Sequence, residues 1–75
     1  MFYPNPASNQ LIISATDTIL QNAEIYDFTG RLIKVFSFEE NNRQTVDVSQ
    51  LTPGTYLTYL KTIDNDIIVK RLIKK

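Results

Sequence analysis

The chain of 75 residues contains no cysteine, no histidine and no tryptophan. Without cysteine, no disulfide can stabilise the fold. Without cysteine and histidine, the commonest ligands of zinc and other transition metals are missing, and so are cysteine nucleophiles and histidine-based triads. We therefore expect a domain that has no cofactor, no metal site and no catalytic site of its own.

The chain has a formal net charge of zero, because eight Lys and Arg residues balance eight Asp and Glu residues. This balance disfavours duplex nucleic acid as a partner. The distribution is uneven, since residues 61–75 contain five basic and two acidic residues, a local charge of +3. No apolar run approaches the roughly 20 residues that span a bilayer, so we expect no transmembrane segment.

The N-terminal residues have neither the basic region nor the apolar region of a secretory signal. Met1 stands directly before a Tyr-Pro-Asn-Pro segment. We expect residues 1–75 to be a single domain that has been excised from a longer protein.

Short segments rich in β-forming residues recur along the chain, with turn signals about every 8–12 residues. They lie at residues 11–13, 23–28, 31–38, 46–48, 55–60 and 67–73. No helical period of useful length is present. The pattern predicts an all-β fold, a small antiparallel β-sandwich of six to seven strands with Ig-like or Greek-key connections. The facing of residues 31–38 is ambiguous, because apolar residues occupy both sets of alternating positions.

Residues 46–61 organise the predicted sandwich as a strand, a corner and a second strand. Pro53 and Gly54 suit the two central positions of a type II turn. Leu51 is placed to plug the end of the core. Tyr56 is placed to pack its ring there and to return its hydroxyl to the backbone upstream, as in a tyrosine corner.

Several polar segments are interpreted as turns and not as sites. Asp27 is predicted to form an Asx-turn before Gly30. Asp64 to Asp66 lack the glycine and the downstream Glu of a calcium loop, so we interpret them as a hairpin turn. Glu39 and Glu40 are adjacent in a polar loop, which does not suit a glycosidase pair.

Two candidate surfaces remain open. If the Tyr56 face of the strand is the core face, Leu57 and Tyr59 look outward. With Tyr26 or Phe28 they then form either an aromatic docking patch or merely scattered exposed residues. The lysine-rich end of the chain is either a recognition tail or a charged face that protects a sheet edge.

Taken together, the motifs resemble the C-terminal sorting domain of the type IX (Por) secretion system of Bacteroidota. The matching segments, in order, are YPNPA with Tyr3, Pro4, Asn5 and Pro6, LII, AEIYDFTGRLIK with Gly30, VDVSQL with Leu51, PGTY with Pro53, Gly54 and Tyr56, and VKRLIKK with Lys70, Lys74 and Lys75. The combination is specific and covers essentially the whole chain. Thr58 departs from it, because the family usually has an aliphatic residue there.

The resemblance implies a non-catalytic export signal. A cargo protein linked at the N-terminal side would reach the periplasm, the outer-membrane translocon would recognise the folded domain, and a sortase-like peptidase would remove it. The cargo would end at the outer-membrane surface or outside the cell. The resemblance ties Gly54, Tyr56 and the three terminal lysines to export. Two other functions stay open: a fibronectin-III or Ig-like spacer, and a small carbohydrate-binding module that uses Tyr59.

Overall fold

The computed structural model describes residues 2–3, 8–15, 18–38 and 43–75. These residues form seven antiparallel strands. The strands are β1 Phe2–Tyr3, β2 Gln10–Ser14, β3 Leu20–Asp27, β4 Leu32–Ser37, β5 Arg43–Asp47, β6 Gly54–Thr62 and β7 Ile67–Lys74. The prediction of six to seven strands is confirmed, because the short strand β1 adds one to the six segments predicted from the sequence.

The strands form two sheets, one in the order β1-β2-β5 and the other in the order β4-β3-β6-β7. The connections from β2 to β3, from β4 to β5 and from β5 to β6 pass between the sheets. In the usual Ig lettering, this arrangement places strands A, B and E in one sheet and adds an extra strand to the C, F and G sheet. The predicted Ig-like β-sandwich is confirmed.

The core lies between the sheets and is built from alternate residues of the longer strands. Leu11 and Ile13 of β2 are buried, as are Ala23 and Ile25 of β3. The other buried apolar residues are Leu20, Phe38, Val46, Val48, Leu51, Tyr56, Leu60 and Leu72. Burial of alternate residues fixes the register of each strand, because a slip of one residue would expose its apolar set.

A β-bulge explains why the facing of β4 is ambiguous in the sequence. Ile25 is opposite Lys34, but the next residue, Tyr26, is opposite Leu32, so Ile33 is the extra residue. After the bulge, Phe36 packs against the core. Before it, Leu32 shares the outer face with Tyr26. The bulge therefore changes which set of alternating residues faces inward.

The hairpin that joins β6 and β7 confirms the turn predicted at Asp64 to Asp66. The N–H of Asn65 donates to the carbonyl of Thr62 at 3.1 Å, and Asn65 has a φ of +67°. The side chain of Thr62 accepts from the N–H groups of Asp64 at 3.3 Å and Asp66 at 3.2 Å. The polar loop predicted at 39–43 is one residue too long, because Arg43 is the first residue of β5. Residues 39–42 lie outside the described residues, as do residues 16 and 17.

Candidate functional site

The tyrosine corner is present at the start of β6. The ring of Tyr56 is buried, and its hydroxyl donates to the carbonyl of Thr52 at 2.6 Å. The Thr52 hydroxyl lies 3.0 Å from the same phenolic oxygen. Leu51 is buried beside it in the core, as predicted.

The predicted type II turn at Pro53 and Gly54 is wrong. Gly54 is the first residue of β6 and has a φ of +153°, whereas that turn needs about +80° at the position Gly54 would take. The chain reverses earlier, where the N–H of Leu51 donates to the carbonyl of Val48 at 3.1 Å. Gly54 is still required by the backbone, because a side chain is strained at this φ.

The three terminal lysines do not form one surface. Lys70 is opposite Thr58 and exposed, and Lys75 is exposed at the chain end. Lys74 is opposite Gly54 and only 9% exposed, with its ammonium group donating to the carbonyl of Lys75 at 3.3 Å. The aliphatic part of Lys74 therefore belongs to the packing of β7.

Only the start of the YPNPA motif lies within the described residues. Tyr3 lies in β1 opposite Ile12, and its hydroxyl oxygen is 3.3 Å from the Nη2 of Arg43. Pro4, Asn5 and Pro6 lie outside the described residues, so their predicted extended conformation stays a prediction.

The turn that contains Gly30 is held by Asp27, as predicted. One carboxylate oxygen of Asp27 accepts from the N–H of Thr29 at 3.0 Å, the hydroxyl of Thr29 at 2.6 Å and the N–H of Arg31 at 3.0 Å. Gly30 has a φ of +92°, and its N–H donates to the carbonyl of Asp27 at 3.0 Å. The bond from the Thr29 hydroxyl and those from the two backbone N–H groups lower the pKa of Asp27, so this carboxylate stays ionised.

The outer face of the four-stranded sheet carries the aromatic residues that the sequence singles out. The rings of Tyr26 and Tyr59 meet edge to face, with centroids 5.3 Å apart and an interplanar angle of 78°. The Tyr26 hydroxyl donates to Glu24 at 3.2 Å, and partial burial together with this bond raises its pKa. Phe28 lies at the end of this face and is 82% exposed.

These rings line a groove of about 300 Å³, which we call the aromatic groove. Its lining residues are Tyr26, Asp27, Phe28, Gly30, Leu57 and Tyr59. The structure therefore brings together the residues of the predicted docking patch. Tyr59 also lines a second groove of about 270 Å³, with Asn22, Glu24, Lys61 and Ile67.

The exposed apolar surface on the outer face of the four-stranded sheet extends beyond the residues that the sequence indicated. Five further apolar residues point outward from β4 and β7 and are at least about one-third exposed: Leu32, Val35, Ile67, Val69 and Ile73. The signal for those on β7 was their alternation with Ile68, Lys70 and Leu72. This alternation is hard to see in the sequence, because Ile68 is apolar in the inward set of positions and Ile73 is apolar in the outward set.

Within the described part of the chain, no group of three or more Asp or Glu residues is placed to hold a metal ion. No helix of that part is long and apolar enough to cross a membrane.

The family model described as the secretion system C-terminal sorting domain matches residues 1–75. No curated protein sequence matches the chain.

Proposed function

Because the chain belongs to the family of secretion system C-terminal sorting domains, we propose that it acts as a non-catalytic export signal that is recognised as a folded domain. A sorting tail of the type IX system directs export across the outer membrane to the cell surface or the extracellular space.

The observation that carries the proposal is that the family model matches residues 1–75, the same chain that folds as a two-sheet β-sandwich. Two residues that the motif ties to export, Tyr56 and Lys74, are buried. A receptor cannot read a buried side chain directly, so these residues act by holding the fold. This supports recognition of a folded surface in preference to a linear peptide.

In this proposal, a cargo protein is linked to the N-terminal side and passes through the periplasm with the domain. The outer-membrane translocon receives the folded domain, and a sortase-like peptidase then removes it. The cargo is anchored at the surface or released. The domain is the substrate of the peptidase and supplies no catalytic group.

The terminal strand has a role in recognition as well as in folding. Strand β7 is last in the order β4-β3-β6-β7, where a partner strand can add to the edge of the sheet. Lys70 and Lys75 are exposed and Lys74 is not, so removing all three lysines together would mix two effects. The double variant Lys70→Ala with Lys75→Ala tests recognition, and Lys74→Ala tests packing.

Export of the double variant at the wild-type level would limit the two exposed lysines to protection of the edge. Export lost from the double variant, with an unchanged unfolding midpoint, would support their recognition by the translocon.

The deciding experiment fuses residues 1–75 to the C-terminus of a periplasm-directed fluorescent protein. The fusion is expressed in a host with the type IX translocon and in a matched host without it. We expect fluorescence outside the cell only in the competent host. Retention in both hosts, with the domain shown to be folded by circular dichroism, would contradict the proposal.

A carbohydrate-binding module is the second candidate function. The observation in its favour is the groove where Tyr59 lies beside Asn22, Glu24 and Lys61, since a ring with polar neighbours suits a sugar. The Ig-like strand order fits a spacer equally well and favours neither. Glycan-array binding by the isolated domain, together with retention of the fusion in both hosts, would favour this second function.

A further inference from the structure

Phe28 is held in an exposed position by a turn with fixed geometry. Its neighbour Asp27 accepts three hydrogen bonds from Thr29 and Arg31, and Gly30 supplies the positive φ that closes the turn. The ring of Phe28 is 82% exposed, so it contributes little to the core. A large apolar side chain presented in this way, and continuous with other exposed apolar residues, is typical of an interaction surface.

The aromatic groove beside Phe28 has the shape of a site for one side chain. Tyr26 and Leu57 are cross-strand partners, and the ring of Tyr59 packs edge to face against Tyr26. The resulting volume of about 300 Å³ lies at the small end of ligand pockets. Four of its six lining residues belong to the two central strands of the four-stranded sheet, and Phe28 and Gly30 belong to the turn after β3.

Three polar groups of the lining residues are already paired within the chain. The carboxylate of Asp27 accepts from the turn, the hydroxyl of Tyr26 donates to Glu24, and the N–H of Gly30 donates to the carbonyl of Asp27. A sugar would have to compete for these groups, since its hydroxyls need partners when they leave water. An apolar side chain has no such need, and it gains by burial against the rings.

Two arginines lie next to the groove, where the carboxylate of Asp27 is already paired with Arg31 and Glu24 accepts from Tyr26. Arg31 is 79% exposed, and its Nε lies 3.5 Å from Asp27. A guanidinium has five N–H donors, so Arg31 can bind a further carboxylate while it contacts Asp27. Arg71 is the cross-strand partner of Leu57 on the outer face and adds positive charge there.

We propose that the aromatic groove docks a protein segment in which an aromatic or large aliphatic side chain stands next to carboxylates. This inference rests on the proposed function, with the segment belonging to the machinery that receives the folded domain. The apolar side chain lies between Phe28, Tyr26 and Tyr59, and the carboxylates meet the exposed guanidinium of Arg31.

The chemistry of the groove is tested with the full chain of 75 residues and three blocked tripeptides. The first is Glu-Phe-Glu, the second Glu-Ser-Glu without the ring, and the third Lys-Phe-Lys with the charge reversed. In titrations followed by NMR, we expect Glu-Phe-Glu to shift the amide signals of Tyr26, Phe28 and Leu57. We expect it to bind about tenfold more tightly than either control.

Equal binding of the three peptides, or no binding of the first, would overturn the inference. Saturable shifts of the same amides by an oligosaccharide and none by Glu-Phe-Glu would overturn it in favour of a glycan. Neither result depends on export, so the groove and the proposed function are tested separately.

The role of the groove in export is tested with matched variants of the fluorescent fusion. We expect Phe28→Ser to reduce export about tenfold while the thermal midpoint of the domain stays unchanged. The control is Ile63→Ser, because Ile63 is also an exposed apolar residue, 45% exposed, and it directly follows the opposite end of β6. Normal export of the Phe28 variant beside an exported wild type would overturn the inference and leave the proposed function standing. A wild-type fusion that is not exported would overturn the proposed function itself.

Discussion

Strand β6 separates two surfaces that are both apolar but contribute differently to the molecule. On the inner face, Tyr56, Thr58 and Leu60 are buried against the other sheet. On the outer face, Leu57 is 37% exposed and Tyr59 is half-buried beside the aromatic groove. Burial stabilises the fold only where apolar surface leaves water. The inner face therefore holds the sandwich together, while much of the apolar surface on the outer face remains for a partner.

The two faces also use tyrosine hydroxyls differently. The Tyr56 hydroxyl donates to the backbone of its own corner at 2.6 Å. The Tyr26 hydroxyl donates to the side chain of Glu24 at 3.2 Å, at the water-facing surface. Tyr56 is the more deeply buried of the two tyrosines, so its hydroxyl has less access to water as an alternative partner and its bond contributes more to stability.

The largest predicted difference between the faces is in the cost of removing a leucine side chain. Leu60→Ala should lower the free energy of unfolding by about 2–5 kcal/mol, because it leaves a cavity in the core. Leu57→Ala should lower it by no more than about 1 kcal/mol, since its side chain already meets water. Urea unfolding of both variants measures the difference. Equal losses would mean that the outer face is covered as completely as the inner one.

The second prediction concerns the tyrosine corner. Tyr56→Phe should destabilise the domain by about 1–3 kcal/mol, because the carbonyl of Thr52 loses its donor. Tyr59→Phe is the matched control on the outer face, and its effect should stay within about 0.5 kcal/mol. An unchanged midpoint for the Tyr56 variant would show that the corner does not stabilise the fold.

The third prediction has the opposite sign. Thr58 is fully buried, and its hydroxyl oxygen has no hydrogen-bond partner. Thr58→Val should therefore raise the free energy of unfolding by about 1 kcal/mol, because an unpaired buried hydroxyl is costly. Thr62→Val is the control and should destabilise, since the Thr62 hydroxyl accepts from Asp64 and Asp66. A loss of stability in the Thr58 variant would mean that its hydroxyl is paired after all.

The sequence predicts the inner face well because alternation and burial are coupled. Alternation places Thr58 and Leu60 on the same face as Tyr56, which the tyrosine corner puts in the core, and all three are buried. Thr58, where the family usually has an aliphatic residue, has a buried hydroxyl without a hydrogen-bond partner. The tyrosine corner and the Asx-turn at Asp27 are local, since each joins residues at most four positions apart. Local hydrogen bonds of this kind are visible in a sequence pattern.

Features that depend on distant packing were not predictable. The bulge at Ile33 follows from the pairing of β4 with β3, and no residue type marks it in advance. The burial of Lys74 depends on how the end of β7 packs beside Gly54. The true conformation of Gly54 differs from a type II turn because the reversal is made earlier, at Val48 to Leu51. In the first two cases a contact with another strand decides the geometry, and at Gly54 a neighbouring turn does.

The smallest predicted effect is a pH dependence at the turn that ends the outer face. Hydrogen bonds from Thr29 and Arg31 hold the pKa of Asp27 below its ordinary value of 3.8. Its contribution to stability is therefore present above that ordinary value and is lost as the pH falls through the lowered pKa of the folded state. Asp27→Asn should remove this part of the acid dependence and leave a smaller change in urea midpoint between pH 7 and about pH 2. Asp47, whose pKa is lowered by its bonds to Ser49, provides the comparison. If Asp27→Asn leaves the acid dependence as it is while Asp47→Asn reduces it, the hydrogen bonds to the Asp27 carboxylate do not stabilise the folded state.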